Sequence, residues 1–579
     1  MNMRSSFSRV LRLMLSGVII GFGAYVLTSY ILRYAVYPAD SDEALHLLEG
    51  LTPMLDARAG HWGRLLQNLY FQPWYPPMHS AMLAAAFTIW TPNLVVARLT
   101  SVVLWVLALP LMALVVRSLS GRQEATGEVA TVLLGVTAPA PFLLATLCMV
   151  ESLEIVLALI FLLSYIRTLR QATPGKGETS LCAGVMLAVV FLGRIPMASF
   201  LAVAVLFNEI FAWWYRQTDW PLVGRLAALL GPIALVALLW LKHPVKVAGF
   251  LDYLRASAPR LPLLSRANLT HYVTVLADAY VAVRPWACWI FLSIGISFWQ
   301  WRDGSVRIIL LLLIVTLVAL ILKRQTSSRF AISAGLASLL LTGYQVTRLA
   351  HGLRDGQRWH RIAVAVLAAV TVLVSVRPLH RRLATLPFAV RVNYETDPEI
   401  NELYNWVADR IPLEERRVVL INGWDQVSGA GLEWALSTGE RTLPRSSQGV
   451  LVEQFDLLEP SDEVLNRFVR LLGQQDIRYI LHLEGGPVAY AGAWWAYRGT
   501  VEERITEVSQ ESFTVRLWDA RVMDRLIGNR LTPTEVQTVQ RDMRYPITVH
   551  ATLFAVSSKE WSAPDGFRHV HLPRHGVIR

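Results

Sequence analysis

The sequence predicts a polytopic α-helical membrane protein of about eleven spans, followed by a C-terminal extracytoplasmic α/β domain. Three observations carry that prediction. Of the 579 residues, 54% are hydrophobic and only 17% are charged, where soluble domains carry about a quarter. The apolar residues fall in separate runs of roughly 17–25 residues, the length that crosses a bilayer while each helix satisfies its own backbone polar groups. From about residue 377 the composition turns soluble, so the chain is divided into a membrane domain, 1–376, and a soluble domain, 377–579.

The first span is 11–32. It follows Arg4, Arg9 and Arg12, and no small-residue cleavage site closes it, so it reads as a retained span rather than a signal peptide. A long loop, 37–93, contains a short apolar stretch at 78–90 that suits an interfacial helix. Further spans are read at 94–116, 129–150, 151–170, 181–193, 197–214 and 222–241. After a second long, proline-bearing loop come 285–299, 308–322, 330–346 and 362–376. In the soluble part, 400–411 has helical apolar spacing behind Asp397 and Glu399. Val418-Val419-Leu420-Ile421, the run 477–481 and the run 513–517 read as strands.

Charge sets the orientation. Lys and Arg total 54 against 43 Asp and Glu, a net charge of +11. The clusters Arg4/Arg9/Arg12, Arg117/Arg122, Arg167/Arg170/Lys176, Arg302/Arg307 and Arg348/Arg354/Arg358/Arg361 fall on one side, which is cytoplasmic by the positive-inside rule. The excess of basic charge therefore marks topology. No basic stripe with interleaved aromatics is present, and nucleic acid is set aside as a partner. Twenty tryptophans fit interfacial anchoring. The three cysteines, Cys148, Cys182 and Cys288, have neither metal-ligand nor disulfide spacing.

The residues able to carry chemistry gather on the opposite side. Asp40, Asp42 and Glu43 follow the first span, where carboxylates beside a bilayer carry a desolvation cost. One of them can serve as a general base; the competing reading is a cap on the helix that starts at Ala44. Tyr75-Pro76-Pro77-Met78-His79 begins the interfacial helix. Its prolines suit a structural corner, and His79 is a hydrogen-bonding group, a substrate ligand or a metal ligand. Glu151, with Glu154 one turn on, either orients an acceptor, binds a divalent metal with Asp42, or complements the helix dipole. Arg194, Lys323, Arg324 and Arg329 are cations placed against the topological bias. They can grip a lipid phosphate, or they can snorkel at helix ends. Arg329 opens an apolar helix, where the dipole disfavours a cation, and this favours a functional role for it.

The order of these pieces resembles the GT-C glycosyltransferases, in the branch of the bacterial protein O-mannosyltransferase-like proteins and the lipid A aminoarabinose transferases. The matching motifs are Asp42-Glu43-Ala44, Tyr75-Pro76-Pro77-Met78-His79, Ala97-Arg98-Leu99-Thr100-Ser101, Glu151, Arg194-Ile195-Pro196 and Ser328-Arg329-Phe330, spread over roughly residues 30 to 350. The resemblance implies about a dozen helices and a multi-pass location in a bacterial inner membrane. It implies a polyprenyl-phosphate-linked sugar donor, transfer to a glycan, lipid or protein hydroxyl, and inversion at the anomeric carbon. By that resemblance Asp42, with Glu43 beside it, is the general base. Arg329 and Arg194, with Arg324 and Lys323, bind the donor phosphate, and Asp40, Tyr75 and His79 contact substrate. The chain departs from the family pattern at Glu151, where Asp is frequent, at Arg194, where Lys is frequent, at Phe330, where Tyr is usual, and at His79.

A lipid-linked donor needs no nucleotide-binding domain, and no phosphate-cradling glycine loop is seen. No cofactor is required by the sequence, although a divalent metal fits the carboxylates. The alternative functions are a transporter or flippase for a lipid-linked or amphipathic solute and a non-catalytic anchor for the outer domain.

Overall fold

The structure is a computed structural model. It describes residues 3–34, 41–72, 75–121, 125–171, 176–217, 221–242, 244, 246–247, 265–280, 284–323, 331–355, 399–412, 415–421, 427–438, 450–455, 467–468, 470–472, 475–484, 505–507, 513–517 and 547–556. The expected span at 362–376 lies outside these residues. The chain forms two compact units, one of residues 1–33 with 63–387 and one of residues 34–62 with 388–579. Residues 34–62, which the sequence reading placed with the membrane part, thus group with the C-terminal residues.

The first unit is a helical bundle. Its helices are α1 (Met3–Tyr34), most of α3 (Trp62–Phe71), α4 (Met78–Ile89), α5 (Leu94–Ser120), α6 (Ala125–Thr137), α7 (Pro139–Ala145), α8 (Glu151–Arg170), α9 (Lys176–Gly193), α10 (Ile195–Trp214), α11 (Leu222–Trp240), α12 (Arg266–Ala279), α13 (Arg284–Phe298), α14 (Gly304–Lys323) and α15 (Ile332–Asp355). The second unit contains α2 (Ser41–Arg58). Among the described residues six helices are long and apolar enough to cross a membrane: Leu13–Leu32 within α1, α5, α8, α10, α11 and α14.

One expectation changes on contact with the structure. The run 129–150 is not one helix: α6 stops at Thr137, and α7 starts afresh at Pro139 and ends at Ala145. Pro139 and Pro141 lack an amide donor, and Ala138, the residue before the first of them, is non-helical, as the ring of a following proline favours. The short apolar stretch expected at 78–90 is helical over Met78–Ile89. It buries His79, Ser80, Leu83 and Phe87, and its alanines allow close approach to α5. The amphipathic helix that buries none of its side chains is α3, with Trp62, Leu66 and Phe71 exposed.

Small residues set the closest helix approaches, as expected where dispersion and shape replace a hydrophobic driving force. A Cβ on Gly184 in α9 would run into the backbone carbonyl oxygen of Ala228 in α11. Between α6 and α15 the contact is reciprocal: a Cβ on Gly127 would strike the Thr347 hydroxyl, and one on Gly343 would strike the Thr131 hydroxyl.

In the second unit a six-stranded sheet is built from β1 (Arg417–Ile421), β2 (Leu451–Phe455), β3 (Tyr479–Glu484), β4 (Ile505–Glu507), β5 (Phe513–Leu517) and β6 (Ile547–Val556), in the order β2-β1-β3-β6-β4 with β5 also on β6. β1 runs parallel to both β2 and β3, while β6 is antiparallel to β3, β4 and β5. The strand expected at 477–481 begins two residues later. The unbroken apolar run in β1 is explained by cover on both faces. Val418 and Leu420 face α16 (Glu399–Ala408) and α17 (Gly429–Thr438), while Val419 and Ile421 join Phe468 and Leu472 on the other side. α2 packs on α17 within this unit.

Candidate functional site

The candidate site in the bundle grows from a helix break. α9 ends at Gly193 and α10 begins at Ile195, so Arg194 sits between them with extended backbone (φ −158°, ψ 116°). Pro196 in the first turn of α10 has no amide to offer a preceding carbonyl, which favours a fresh start there. Arg194 still joins the helices, its amide donating to Val190 O (2.7 Å) and its carbonyl accepting from Ala198 N (3.2 Å). This geometry turns the guanidinium toward the start of α8.

There the first turn of α8 presents Glu151 and Glu154, three residues apart on one face. Arg194 bridges them: Nη2 donates to Glu151 Oε1 at 3.3 Å, and Nε stands 3.5 Å from Glu154 Oε2. All three side chains are buried. The Arg194 guanidinium also lies 5.6 Å from the centre of the Tyr75 ring. Lys323, half-buried at the last turn of α14, is close enough to Arg194 for the two cations to repel. The second carboxylate oxygen of Glu151, Oε2, is buried and has no hydrogen-bond partner among the described residues. A buried carboxylate oxygen left open is costly, and a hydroxyl donor entering the site would satisfy it.

The structure therefore brings together four of the residues singled out from sequence: Glu151, Arg194, Tyr75 and Lys323. Glu154, noted there only as a neighbour, completes the set. His79 is buried in the first turn of α4. Asp42 and Glu43 lie in the first turn of α2, in the second unit, where Glu43 is fully buried. Asp40, Arg324 and Arg329 lie outside the described residues. Among the described residues no group of three or more His, Cys, Asp or Glu side chains could hold a metal ion. Glu151 and Glu154 already share a guanidinium.

Sequence reading passed over a second polar cluster. In α10, Asn208 and Glu209 are fully buried. Tyr165 of α8 donates its hydroxyl to Glu209 Oε1 and accepts from Asn208 Nδ2 at 2.8 Å, and Arg225 of α11 is ion-paired to Glu209. Arg307 of α14, counted in the sequence only as a flanking charge, is fully buried; its Nε donates to Asn208 Oδ1 at 2.7 Å. The signal that could have found it is the presence of Asn208, Glu209 and Arg225 inside runs read as spans, since ionisable groups within a membrane are functional candidates by default.

No family model and no curated protein matches the sequence. Solved structures do match in fold. ArnT from Cupriavidus metallidurans in the apo state superposes with a TM-score of 0.55 at 13% identity, covering 88% of this chain and 97% of that one. The same protein bound to undecaprenyl phosphate gives 0.52 at 12% identity, covering 85% and 96%. The archaeal oligosaccharyltransferase AglB from Archaeoglobus fulgidus, in complex with an inhibitory peptide and a dolichol-phosphate, gives 0.52 at 11% identity, covering 81% and 69%. ArnT is a lipid A aminoarabinose transferase, and it and AglB are both GT-C enzymes; the resemblance of this chain to the GT-C glycosyltransferases, first drawn from the order of its motifs, holds at the level of the fold.

Proposed function

We propose that this protein is a membrane glycosyltransferase that moves a sugar from a polyprenyl-phosphate donor to a hydroxyl of a lipid, glycan or protein. The observation that carries the reading is the buried Arg194–Glu151–Glu154 cluster with Glu151 Oε2 left open, set in a fold shared with a protein solved with undecaprenyl phosphate bound. In this reading about eleven spans place the cluster, and the soluble residues 377–579, on the extracytoplasmic side of a bacterial inner membrane.

The chemistry follows from the donor. Its phosphate is already a good leaving group, so positioned charges and one base supply most of the catalysis. Asp42, with Asp40 and Glu43 beside it, takes the proton of the acceptor hydroxyl. The hydroxyl oxygen attacks the anomeric carbon as the bond from that carbon to the phosphate oxygen breaks, which inverts the centre. Lys323, Arg324 and Arg329 neutralise the charge left on the polyprenyl phosphate. Arg194 already holds two carboxylates, so its role is to keep Glu151 aimed while Oε2 accepts from a hydroxyl of the acceptor or sugar. Tyr75 and His79 contact substrate.

The test uses purified protein in proteoliposomes, supplied with polyprenyl-phosphate-linked sugars and hydroxyl acceptors, with release of polyprenyl phosphate as readout. Asp42→Asn is expected to lower turnover about 100-fold or more with the fold intact, and Arg329→Ala to weaken use of the donor. Wild-type turnover in Asp42→Asn would move the base elsewhere. Consumption of no donor, together with movement of a labelled amphipathic solute across the bilayer, would favour a transporter.

A further inference from the structure

We infer that the arginine-rich end of the bundle holds a second binding site, specific for a phosphate-bearing anion and separate from the proposed catalytic cluster. A cavity of about 380 Å³ lies there, between the ends of α8 and α10 and the starts of α9, α11 and α14, within the size range of small-ligand sites. Arg170, Arg225 and Arg307 line it, against Glu209 and Asp303, so the wall carries an excess of positive charge.

Arg225 carries the inference. It is only 7% exposed, one of its terminal nitrogens is paired to Glu209, and the other, Nη1, has no hydrogen-bond partner among the described residues. A buried guanidinium N–H left open is costly, and an oxyanion in the cavity is the partner it fits. Arg225 and Arg307 both stand in the first turn of their helices. The helix dipole disfavours cations there and favours an anion, so a bound phosphate relieves both mismatches together. Arg307 supplies a fixed wall, since Asn208, Gln217 and the Trp301 carbonyl already hold its donors. Ser180 and Ser305 add hydroxyls. The proposed catalytic cluster sits at the other end of α8, about 30 Å away along a helix of this length; failure of one site leaves the other standing.

The phosphate can belong to a bilayer lipid headgroup or to a soluble molecule, and the experiment separates the two. The full-length protein is compared in nanodiscs of phosphatidylglycerol and of phosphatidylcholine, and in detergent with inorganic phosphate against chloride at equal ionic strength, following the thermal midpoint. Two variants serve as references: Ser180→Asp, which places a carboxylate in the cavity, and Arg225→Gln with Glu209→Gln, which removes both members of the ion pair together. The wild type is expected to be stabilised by phosphatidylglycerol, by phosphate or by both, with apparent affinity at least about tenfold weaker in both variants, equivalent to about 1.4 kcal/mol. Response to phosphatidylglycerol alone assigns a lipid headgroup, and response to inorganic phosphate alone assigns a soluble ligand. Equal responses in wild type and Ser180→Asp, or no response in wild type, overturn the site.

Discussion

The two units give their carboxylates different partners. In the bundle, Glu151, Glu154 and Glu209 are each buried and each faces an arginine. In the sheet unit, Glu433 of α17 meets no cation among the described residues. Its Oε2 accepts from the backbone amide of Val452 at 3.1 Å, and burial, with the nearby Glu453 adding to it, pushes its pKa up to about 7. The bundle sets each of these carboxylates against an arginine; the sheet unit gives Glu433 a backbone amide. Paired charges suit a site that must hold a constant field, whereas an unpaired carboxyl makes local packing answer to pH.

The harshest way to break this contrast is to remove the cation. Arg194→Ala leaves Glu151 and Glu154 buried beside each other with no countercharge, which costs about 3–5 kcal/mol. Thermal unfolding of the detergent-solubilised protein is expected to show that loss, and Arg194→Lys, which keeps one charge but not the fork, to recover part of it. An unchanged midpoint in Arg194→Ala would mean that water reaches the pair and that pairing is not what fixes its charge.

Pairing also needs a dry bundle, and a close contact between helix backbones tests that. Gly184→Val would push side-chain atoms into the Ala228 carbonyl and separate α9 from α11, at a cost of about 2–3 kcal/mol. Because α11 carries Arg225, the same change is expected to loosen the Arg225–Glu209 pair, seen as faster hydrogen exchange at the start of α11. A smaller effect is expected from Tyr165→Phe. It removes a donor to Glu209 and an acceptor for Asn208, leaving the ion pair in place, for a loss of about 1–2 kcal/mol in thermal unfolding.

Much of this organisation was legible from sequence because length and apolar content dominate helix formation in a membrane. The run beginning at Glu151 is a helix from Glu151 to Arg170, and the spans read at 197–214 and 222–241 match α10 and α11 to within two residues at each end. The break at Ala138 was written in Pro139 and Pro141, but apolar content hid it. The pairing of Glu151 with Arg194 was not legible, since the two are 43 residues apart and meet only when α8 packs beside the break between α9 and α10. Arg307 shows the limit most clearly. A flanking arginine and a fully buried one look alike in a chain, and only packing against Asn208 separates them.

Glu433 gives the finest test of the contrast, because its effect should reverse with pH. Its folded pKa, about 7, stands above the ordinary carboxylate value of 4.5, so the folded protein binds the proton more tightly than the unfolded chain. Its contribution to stability is then complete below about pH 4.5 and declines as pH rises through 7. The half-buried position of the side chain reduces the full effect of that shift, leaving a decline of about 1–2 kcal/mol between pH 5 and pH 8. Glu433→Gln keeps the shape and an oxygen to accept from Val452 but cannot ionise, so it should flatten this dependence and raise stability at pH 8. Hydrogen exchange of α17 and β2 in the full-length protein reads the change locally. A dependence as steep in Glu433→Gln as in the wild type would show that another group, and not this carboxyl held by a backbone amide, is its source.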